Sequence, residues 1–155
     1  MDAKFATTIE SLHPSFERLL EMPPCSAGQL PRGMPASGVY LFSDGEQHLY
    51  VGRSRNMRRR YGLHTRPSAD HNQASFAFLL AREATGMLTA SYKQKGGRKE
   101  LAKDPGFIRA FAEAKSRIRN MNYRFVEETD GTRQALLEIY CAVALGTPYN
   151  DFRTH

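Results

Sequence analysis

The chain has 155 residues, 41% of them hydrophobic and 25% charged, a balance that excludes a disordered or fibrous protein. Its 22 Lys and Arg against 16 Asp and Glu give a net charge of +6, which favours an anionic partner. The two cysteines lack the spacing of a zinc site or a disulfide framework, and no apolar run is long enough to cross a bilayer. Since polar residues also interrupt the N-terminus where a signal peptide would be apolar, we expect one soluble, cytoplasmic domain with no membrane partner.

Stretches of helical and of strand-like periodicity alternate along the chain. In the first half of the chain they predict a helix at 3–20, a Pro- and Gly-rich loop at 22–37, strands at 38–42 and 48–52, and a helix from Ser54 to Pro67. A helix at 73–84 follows, and then an ambiguous stretch at 86–104 with a strand at 88–92 and a basic loop at 93–99. The last predicted elements are a helix at 104–119, a strand at 122–128 and a helix at 132–145. Asp44-Gly45 marks a hairpin turn, and Ser54 is the expected N-cap of the next helix. Pro14 is expected to kink or split the first helix, and Gly146 to end the last. An apolar stripe of Phe107, Ile108, Phe111 and Ile118 predicts the buried face of the helix at 104–119.

These elements predict a small α/β (α+β) protein with a three-stranded sheet flanked by helices. The sheet should be mostly antiparallel, because a hairpin forces at least one antiparallel pair. Within a single domain at 1–155, we expect an N-terminal helical extension at 1–36, the hairpin and its helix at 37–65, a helical insertion at 66–120, and the third strand, a Glu-bearing helix and the tail at 121–155.

The hairpin carries two tyrosines in glycine-flanked triplets, GVY and YVG. Because Tyr40 and Tyr50 lie on paired strands, their hydroxyls could share one space. Gly38 and Gly52 would let another backbone or a phosphate approach the strands closely.

Two of the predicted helices carry charged or titratable residues that could take part in catalysis. Arg60 and His64 are four residues apart and therefore share a helix face. Glu138 lies in an otherwise apolar helix, between the small Ala135 and Ala142. A buried carboxylate needs a cation, so Glu138 is expected either to pair with an arginine at 53–60 or to bind a metal ion. Structural ion pairs are the more common of these two outcomes.

In chain order, GVY, YVGRS, Arg60, His64, Glu138 and Asn150 resemble the signature of the GIY-YIG nuclease superfamily. Val39 stands where the usual residue is isoleucine. The superfamily includes the N-terminal nuclease domain of the bacterial excision-repair incision subunit, homing endonucleases and restriction enzymes. The resemblance spans Ser37 to Asn150, without the stretch at 66–120. It implies a GIY-YIG type fold and an endonuclease that hydrolyses DNA phosphodiester bonds with one metal ion, in DNA repair or restriction.

The resemblance also implies how the metal and the phosphate would be held. Glu138 would bind one Mg²⁺ or Mn²⁺, hard ions of which Mg²⁺ keeps most of its waters and needs few protein ligands. Arg60 would contact the scissile phosphate and neutralise the charge that develops there.

Proton transfer is assigned to the tyrosines by the same resemblance. Tyr40 would be the general base with Tyr50 beside it, a role that requires a lowered tyrosine pKa, to which Arg53, Arg60 and the metal would contribute. His64 would assist proton transfer or hydrogen-bond to Tyr40 or to the phosphate. Asn150 would fix either the geometry of the site or the substrate backbone.

Clustered basic residues predict the contact with the nucleic-acid backbone. The expected substrate-binding residues are Arg53, Ser54, Arg58, Arg59, Lys95 and Arg98. The expected partner is DNA, with RNA as an alternative, and a homodimer or a recruiting protein would complete the assembly. Two other functions fit the same sequence: a nucleic-acid-binding module of this fold with weak or lost catalysis, and an interaction domain for an acidic protein.

Overall fold

A computed structural model describes residues 1–86 and 98–152, which divide into two compact units. The first unit is Met1–Arg60 with Met121–His155, and the second is Tyr61–Asn120. The described elements are, in chain order, α1 (Ala3–Glu21), β1 (Gly38–Asp44), β2 (Gln47–Ser54), α2 (Met57–Thr65), α3 (Ser75–Ala84), α4 (Arg98–Leu101), α5 (Pro105–Arg119), β3 (Asn122–Glu127) and α6 (Gly131–Leu145). None of the helices in this described part is both long and apolar enough to span a membrane.

The first unit contains the predicted three-stranded sheet, with strand order β2-β1-β3. Both strand pairs are antiparallel, so the predicted α+β architecture is confirmed and the sheet is antiparallel throughout. Asp44 ends β1 and Gln47 begins β2, which makes the hairpin connection shorter than the sequence indicated. The register shifts between Phe42 and Ser43, a bulge that accommodates the uneven strand lengths.

One face of the sheet is aliphatic and is covered by α1 and α6. Its fully buried members on β1 are Val39 and Leu41, which pack in one cluster with Leu12 of α1 and Leu137 of α6. Each such side chain contributes about 1.5–3 kcal/mol by leaving water. Helix α1 is continuous, so the split predicted at Pro14 is wrong: packing of its apolar stripe outweighs the loss of one backbone hydrogen bond.

The opposite face of the sheet is aromatic, because side chains alternate along a strand. It carries Tyr40, Phe42, Tyr50, Tyr123 and Phe125, whose positions follow from the register of the three strands. Tyr40, Phe42 and Tyr123 are buried. The candidate tyrosines therefore belong to an aromatic layer, on the side of the sheet away from the α1 and α6 core.

Both outer edges of the sheet are occupied by other parts of the first unit. On the β3 edge, Cys25 exchanges two backbone hydrogen bonds with Tyr123, and the Met22 sulfur accepts the Phe125 N–H at 3.2 Å. On the β2 edge, the Tyr149 N–H donates to the Leu49 carbonyl at 3.2 Å. Covered edges prevent pairing with a further strand and hold the hairpin in place.

The sequence predicted the C-terminus of α6 correctly but not the N-terminus of α2. Gly146 ends α6 in the left-handed conformation, with φ 62°, as predicted. At the start of α2, however, the Asn56 side chain accepts the Arg59 N–H at 3.2 Å, and Ser54 belongs to β2. The expected cap at Ser54 is wrong because β2 continues two residues beyond the predicted strand and delays the helix.

The second unit packs α3 against α5 around Phe78 and Phe107. Ile108 is 51% exposed, so the predicted apolar stripe of α5 is wrong at that position. Lys115 is buried, and its ammonium donates to the carbonyls of Pro67 and Ala69, both at 2.7 Å. The strand predicted at 88–92 lies outside the described residues, and Arg98 begins α4 rather than belonging to the loop predicted at 93–99.

Candidate active site

Tyr40 lies on the central strand and is flanked by a tyrosine on each neighbouring strand. Its ring centroid is 6.5 Å from that of Tyr50 on β2 and 5.8 Å from that of Tyr123 on β3. The Phe42 ring packs edge-on against it at 5.7 Å. The structure thus brings the two predicted tyrosines together in one layer, and it adds Tyr123, which the sequence analysis placed on a strand without assigning it to the site.

The glycines of the two triplets permit two close approaches. A Cβ at Gly52 would lie 2.2 Å from the Tyr40 hydroxyl oxygen and 2.3 Å from Cζ, so the Tyr40 ring lies directly across this glycine. A Cβ at Gly38 would lie 2.1 Å from the Val126 carbonyl oxygen, within the β1–β3 pair. Gly52 therefore determines where the Tyr40 hydroxyl lies, and Gly38 allows β1 and β3 to pair closely.

The electrostatics of the tyrosines differ from the expectation. Burial raises the pKa of Tyr40 well above its ordinary value and that of Tyr50 to about 12. The charge of Arg60 lowers both pKa values, as predicted, whereas the charge of Glu138 raises both. The expected acidification is therefore wrong for the protein by itself, because loss of solvation outweighs one guanidinium.

Glu138 is paired with Arg53, the first of the two alternatives considered for this carboxylate. Arg53 Nε lies 3.2 Å from Glu138 Oε2, and the Glu138 side chain is 18% exposed. Burial raises the pKa of Glu138, and Arg53 partly offsets the increase. The Arg53 side chain is 48% exposed, so this cation is in contact with solvent as well as with Glu138.

The residues around Glu138 fit a metal ion that relies on few protein ligands. Among residues 1–86 and 98–152, no group of three or more His, Cys, Asp and Glu side chains could hold a metal ion. A single carboxylate fits a hard divalent cation that keeps most of its waters, as Mg²⁺ does. It does not fit a structural zinc site, which needs four protein ligands.

Asn150 binds the backbone of β2 rather than projecting into open space. Its Oδ1 accepts the Val51 N–H at 2.8 Å, and its Nδ2 donates to the Val51 carbonyl at 2.7 Å. Val51 lies between Tyr50 and Gly52, so Asn150 holds the segment that carries one tyrosine and supports the other. These contacts correspond to the first role considered for Asn150, the fixing of site geometry.

The remaining predicted residues differ in exposure and in hydrogen-bond partners. Arg59 is exposed, Arg58 donates to the Pro31 carbonyl at 2.6 Å, and the Ser54 hydroxyl accepts the Asn56 N–H at 2.9 Å. His64 belongs to the second unit and is 1% exposed, so it is not a surface histidine. Lys95 and the Arg98 side chain lie outside the described residues.

The charges of Arg60 and Glu138 both act on Tyr40 and Tyr50, so four of the predicted residues belong to one group. Arg53 adds a half-exposed cation to this group. The arrangement offers two phenols as hydrogen-bonding groups, two guanidinium groups for an anion and one carboxylate for a cation. No protein-family model matches the chain, and no match is found among curated proteins or among solved structures.

Proposed function

We propose that this protein is a metal-dependent endonuclease of the GIY-YIG type that hydrolyses DNA phosphodiester bonds. The observation that carries the proposal is the pairing of Tyr40 with Tyr50, whose ring centroids are 6.5 Å apart, under the charges of both Arg60 and Glu138. The buried phenol of Tyr40 and the half-buried phenol of Tyr50 are both acted on by one cation and one carboxylate. They suit a reaction in which water attacks a phosphate.

A phosphodiester is an anion, so its binding begins with the cations of the site. Arg60 would contact the non-bridging oxygens of the scissile phosphate and neutralise the charge that grows during attack. The exposed Arg53, Arg55 and Arg59 extend this positive surface along the substrate backbone. Glu138 would hold one Mg²⁺ or Mn²⁺, which when bound acts as a Lewis acid toward the phosphate.

Hydrolysis needs a water molecule held in line with the P–O3′ bond. The Tyr40 hydroxyl, fixed across Gly52, would accept a hydrogen bond from that water. As the water oxygen bonds to phosphorus and the P–O3′ bond breaks, the water would release a proton to solvent and the departing O3′ would take one up. Because burial raises the pKa of Tyr40, the phenol enters the reaction protonated, and its first task is to orient the water. Tyr50, beside it, would complete the hydrogen-bonding surface.

The Arg53–Glu138 pair would represent the resting state of the site. While no substrate is bound, Arg53 compensates the charge of a partly buried carboxylate. An incoming phosphate would offer Arg53 a second anion, and Glu138 would then be available to hold the metal ion. The carboxylate would thus be compensated by Arg53 before substrate binds and by the metal ion afterwards.

A second function has one observation in its favour, namely that same ion pair. A nucleic-acid-binding module without catalysis would also keep Glu138 neutralised by Arg53, purely to tolerate its burial. The two functions differ in the response to metal. Binding to a phosphate backbone by arginines weakens with salt and does not require a divalent ion.

Incubation of the full chain with supercoiled plasmid, and with flap and branched DNA, tests the proposal. We expect nicking in Mg²⁺ or Mn²⁺, and none in EDTA, because the Lewis acid is then removed. Agarose and sequencing gels would measure the products, and parallel incubation with a structured RNA would establish the nucleic acid. Salt-sensitive binding without cleavage in any metal would support the binding module instead.

Acidification should weaken metal binding at a pH above that expected for an ordinary glutamate. The metal binds the carboxylate, and burial raises the pKa of Glu138, so the binding form is lost as the pH falls through this raised value. Affinity should then decrease about tenfold per pH unit. Titration calorimetry with Mn²⁺ between pH 4.5 and 8 would measure this trend; an affinity that is constant with pH contradicts a carboxylate ligand.

Arg53→Met provides the matched test of the same effect. Since Arg53 lowers the pKa of Glu138, its removal should move the loss of Mn²⁺ affinity to higher pH. A shift to lower pH, or no shift, would show that the ion pair does not influence the carboxylate that binds the metal.

A further inference from the structure

The segment that follows α6 joins the helix of Glu138 to the strand of Tyr50. We call Gly146–Asn150 the clasp. It begins at the end of α6, where the N–H groups of Gly146 and Thr147 both donate to the Ala142 carbonyl. It ends on β2, where Tyr149 binds Leu49 and Asn150 binds Val51. One short segment thus connects the two elements that hold the ends of the Arg53–Glu138 pair.

Thr147 makes a contact inside the clasp that anchors the Asn150 side chain. Its hydroxyl donates to Asn150 Oδ1 at 2.7 Å, and the residue is 7% exposed. A carboxamide turned by 180° would place its NH₂ group against the Val51 N–H and its oxygen against the Val51 carbonyl, so the backbone of Val51 selects the orientation of Asn150. In that orientation the Thr147 hydroxyl gives Asn150 Oδ1 a second donor, which holds the side chain against β2.

The part of β2 that is held in this way contributes to the site on both sides of Val51. Gly52 lies beneath the Tyr40 hydroxyl, and Arg53 pairs with Glu138. Because β2 is an outer strand, only one of its edges is bonded to the sheet. The other edge depends on the clasp, so movement of Val51 away from Asn150 would move Tyr50, Gly52 and Arg53 together.

We propose that Thr147 is a positioning residue of the active site, which acts through Asn150 to hold β2 in the geometry needed for cleavage. The expected effect of Thr147 on kcat rests on the proposed nuclease function, whereas its expected effect on the position of β2 does not. The hydroxyl is the essential group, since the threonine methyl group can be replaced without loss of the hydrogen bond.

Thr147→Val tests the proposal, because valine keeps the shape of threonine and removes the donor. We expect hydrogen exchange at the Val51 amide to become about tenfold faster as the edge opens more often. We also expect kcat for DNA cleavage to fall about tenfold with an unchanged KM, because the reacting groups lose alignment while the basic surface stays intact. Exchange mass spectrometry or NMR, and single-turnover assays, would measure the two effects.

Two further variants separate positioning from a general structural role. Thr147→Ser retains the hydroxyl and should restore both Val51 protection and kcat. Thr132→Val removes an exposed threonine hydroxyl in the first turn of α6 and should change neither. Asn150→Asp, which sets an acceptor against the Val51 carbonyl, should speed exchange at Val51 more than Thr147→Val does.

The outcomes test the role of Thr147 separately from the proposed nuclease activity. Wild-type exchange at Val51 in Thr147→Val, or a Thr147→Ser variant as impaired as Thr147→Val, would overturn the role of Thr147. If the wild-type chain cleaves nothing, the nuclease proposal fails, and exchange at Val51 still decides whether Thr147 holds β2. Faster exchange with unchanged kcat would refute the positioning role and leave the clasp a local structural feature.

Discussion

Glu138→Gln is expected to lose metal-dependent cleavage by at least about a hundredfold, because the substitution removes the only carboxylate proposed to hold the metal. Glutamine keeps the size of the side chain and can still accept a hydrogen bond from Arg53. Burial already disfavours the charged form of Glu138, so its removal should leave the thermal midpoint within about 3 °C of the wild-type value. Cleavage assays, Mn²⁺ titration calorimetry and thermal melts would measure the three quantities.

The chain offers a matched control for this substitution in Glu17. Its carboxylate also pairs with a base on a helix, with His13 Nε2 at 2.6 Å, but the pair is about half exposed and belongs to α1. Glu17→Gln should therefore leave cleavage and Mn²⁺ affinity unchanged. EDTA-sensitive cleavage by Glu138→Gln at the wild-type rate would show that Glu138 does not bind the metal. Loss of cleavage with full Mn²⁺ affinity would assign Glu138 a role other than metal binding.

The fold was predictable where local patterns carry the information. The Asp44-Gly45 turn, flanked by β-branched and aromatic residues, predicted the hairpin, and the apolar run before Gly146 predicted α6. Local patterns were insufficient where two signals compete. Ser54 is a good helix cap, but pairing with Gly38 keeps it in β2, and Asn56 caps the helix instead.

The candidate site was predictable in its residues but not in its connections. A glutamate in an apolar helix predicts that a cation lies near it, and the sequence limited the choice to an arginine at 53–60 or a metal. That the arginine is Arg53 depends on how α6 packs beside β2, which no local pattern contains. The bond between Asn150 and Val51 joins residues from distant parts of the chain for the same reason.

The tyrosine pKa values illustrate a property that only the folded structure determines. From the sequence, Arg53 and Arg60 beside Tyr40 predict a lowered pKa. Burial among Phe42, Tyr50 and Tyr123 has the opposite effect and is larger. The sequence indicated which arginines accompany Tyr40. It did not indicate how much solvation the phenol loses, because that loss depends on the whole aromatic layer.

Gly52→Ala is expected to displace Tyr40 and to affect both stability and cleavage. The new Cβ would lie 2.2 Å from the Tyr40 hydroxyl oxygen and 2.8 Å from Cε2, distances at which one group must move. The Tyr40 ring is buried against other rings, so the shift should cost about 1–3 kcal/mol of stability. Displacement of the hydroxyl by about 1 Å should reduce kcat about a hundredfold. Urea denaturation and single-turnover cleavage would measure these losses.

A second substitution distinguishes the collision with Tyr40 from other effects of the added methyl group. Gly33→Ala, where a Cβ would meet nothing within 4 Å, should change neither stability nor cleavage. In the double variant Gly52→Ala/Tyr40→Leu, the shorter side chain removes the collision, so the double variant should be more stable than the two single effects predict. Its cleavage should remain lost, because the phenol is absent. Additive stabilities would show that the methyl group strains β2 itself. Cleavage retained in Gly52→Ala would show that the reaction tolerates displacement of Tyr40, and cleavage retained in the double variant would exclude Tyr40 from the reaction.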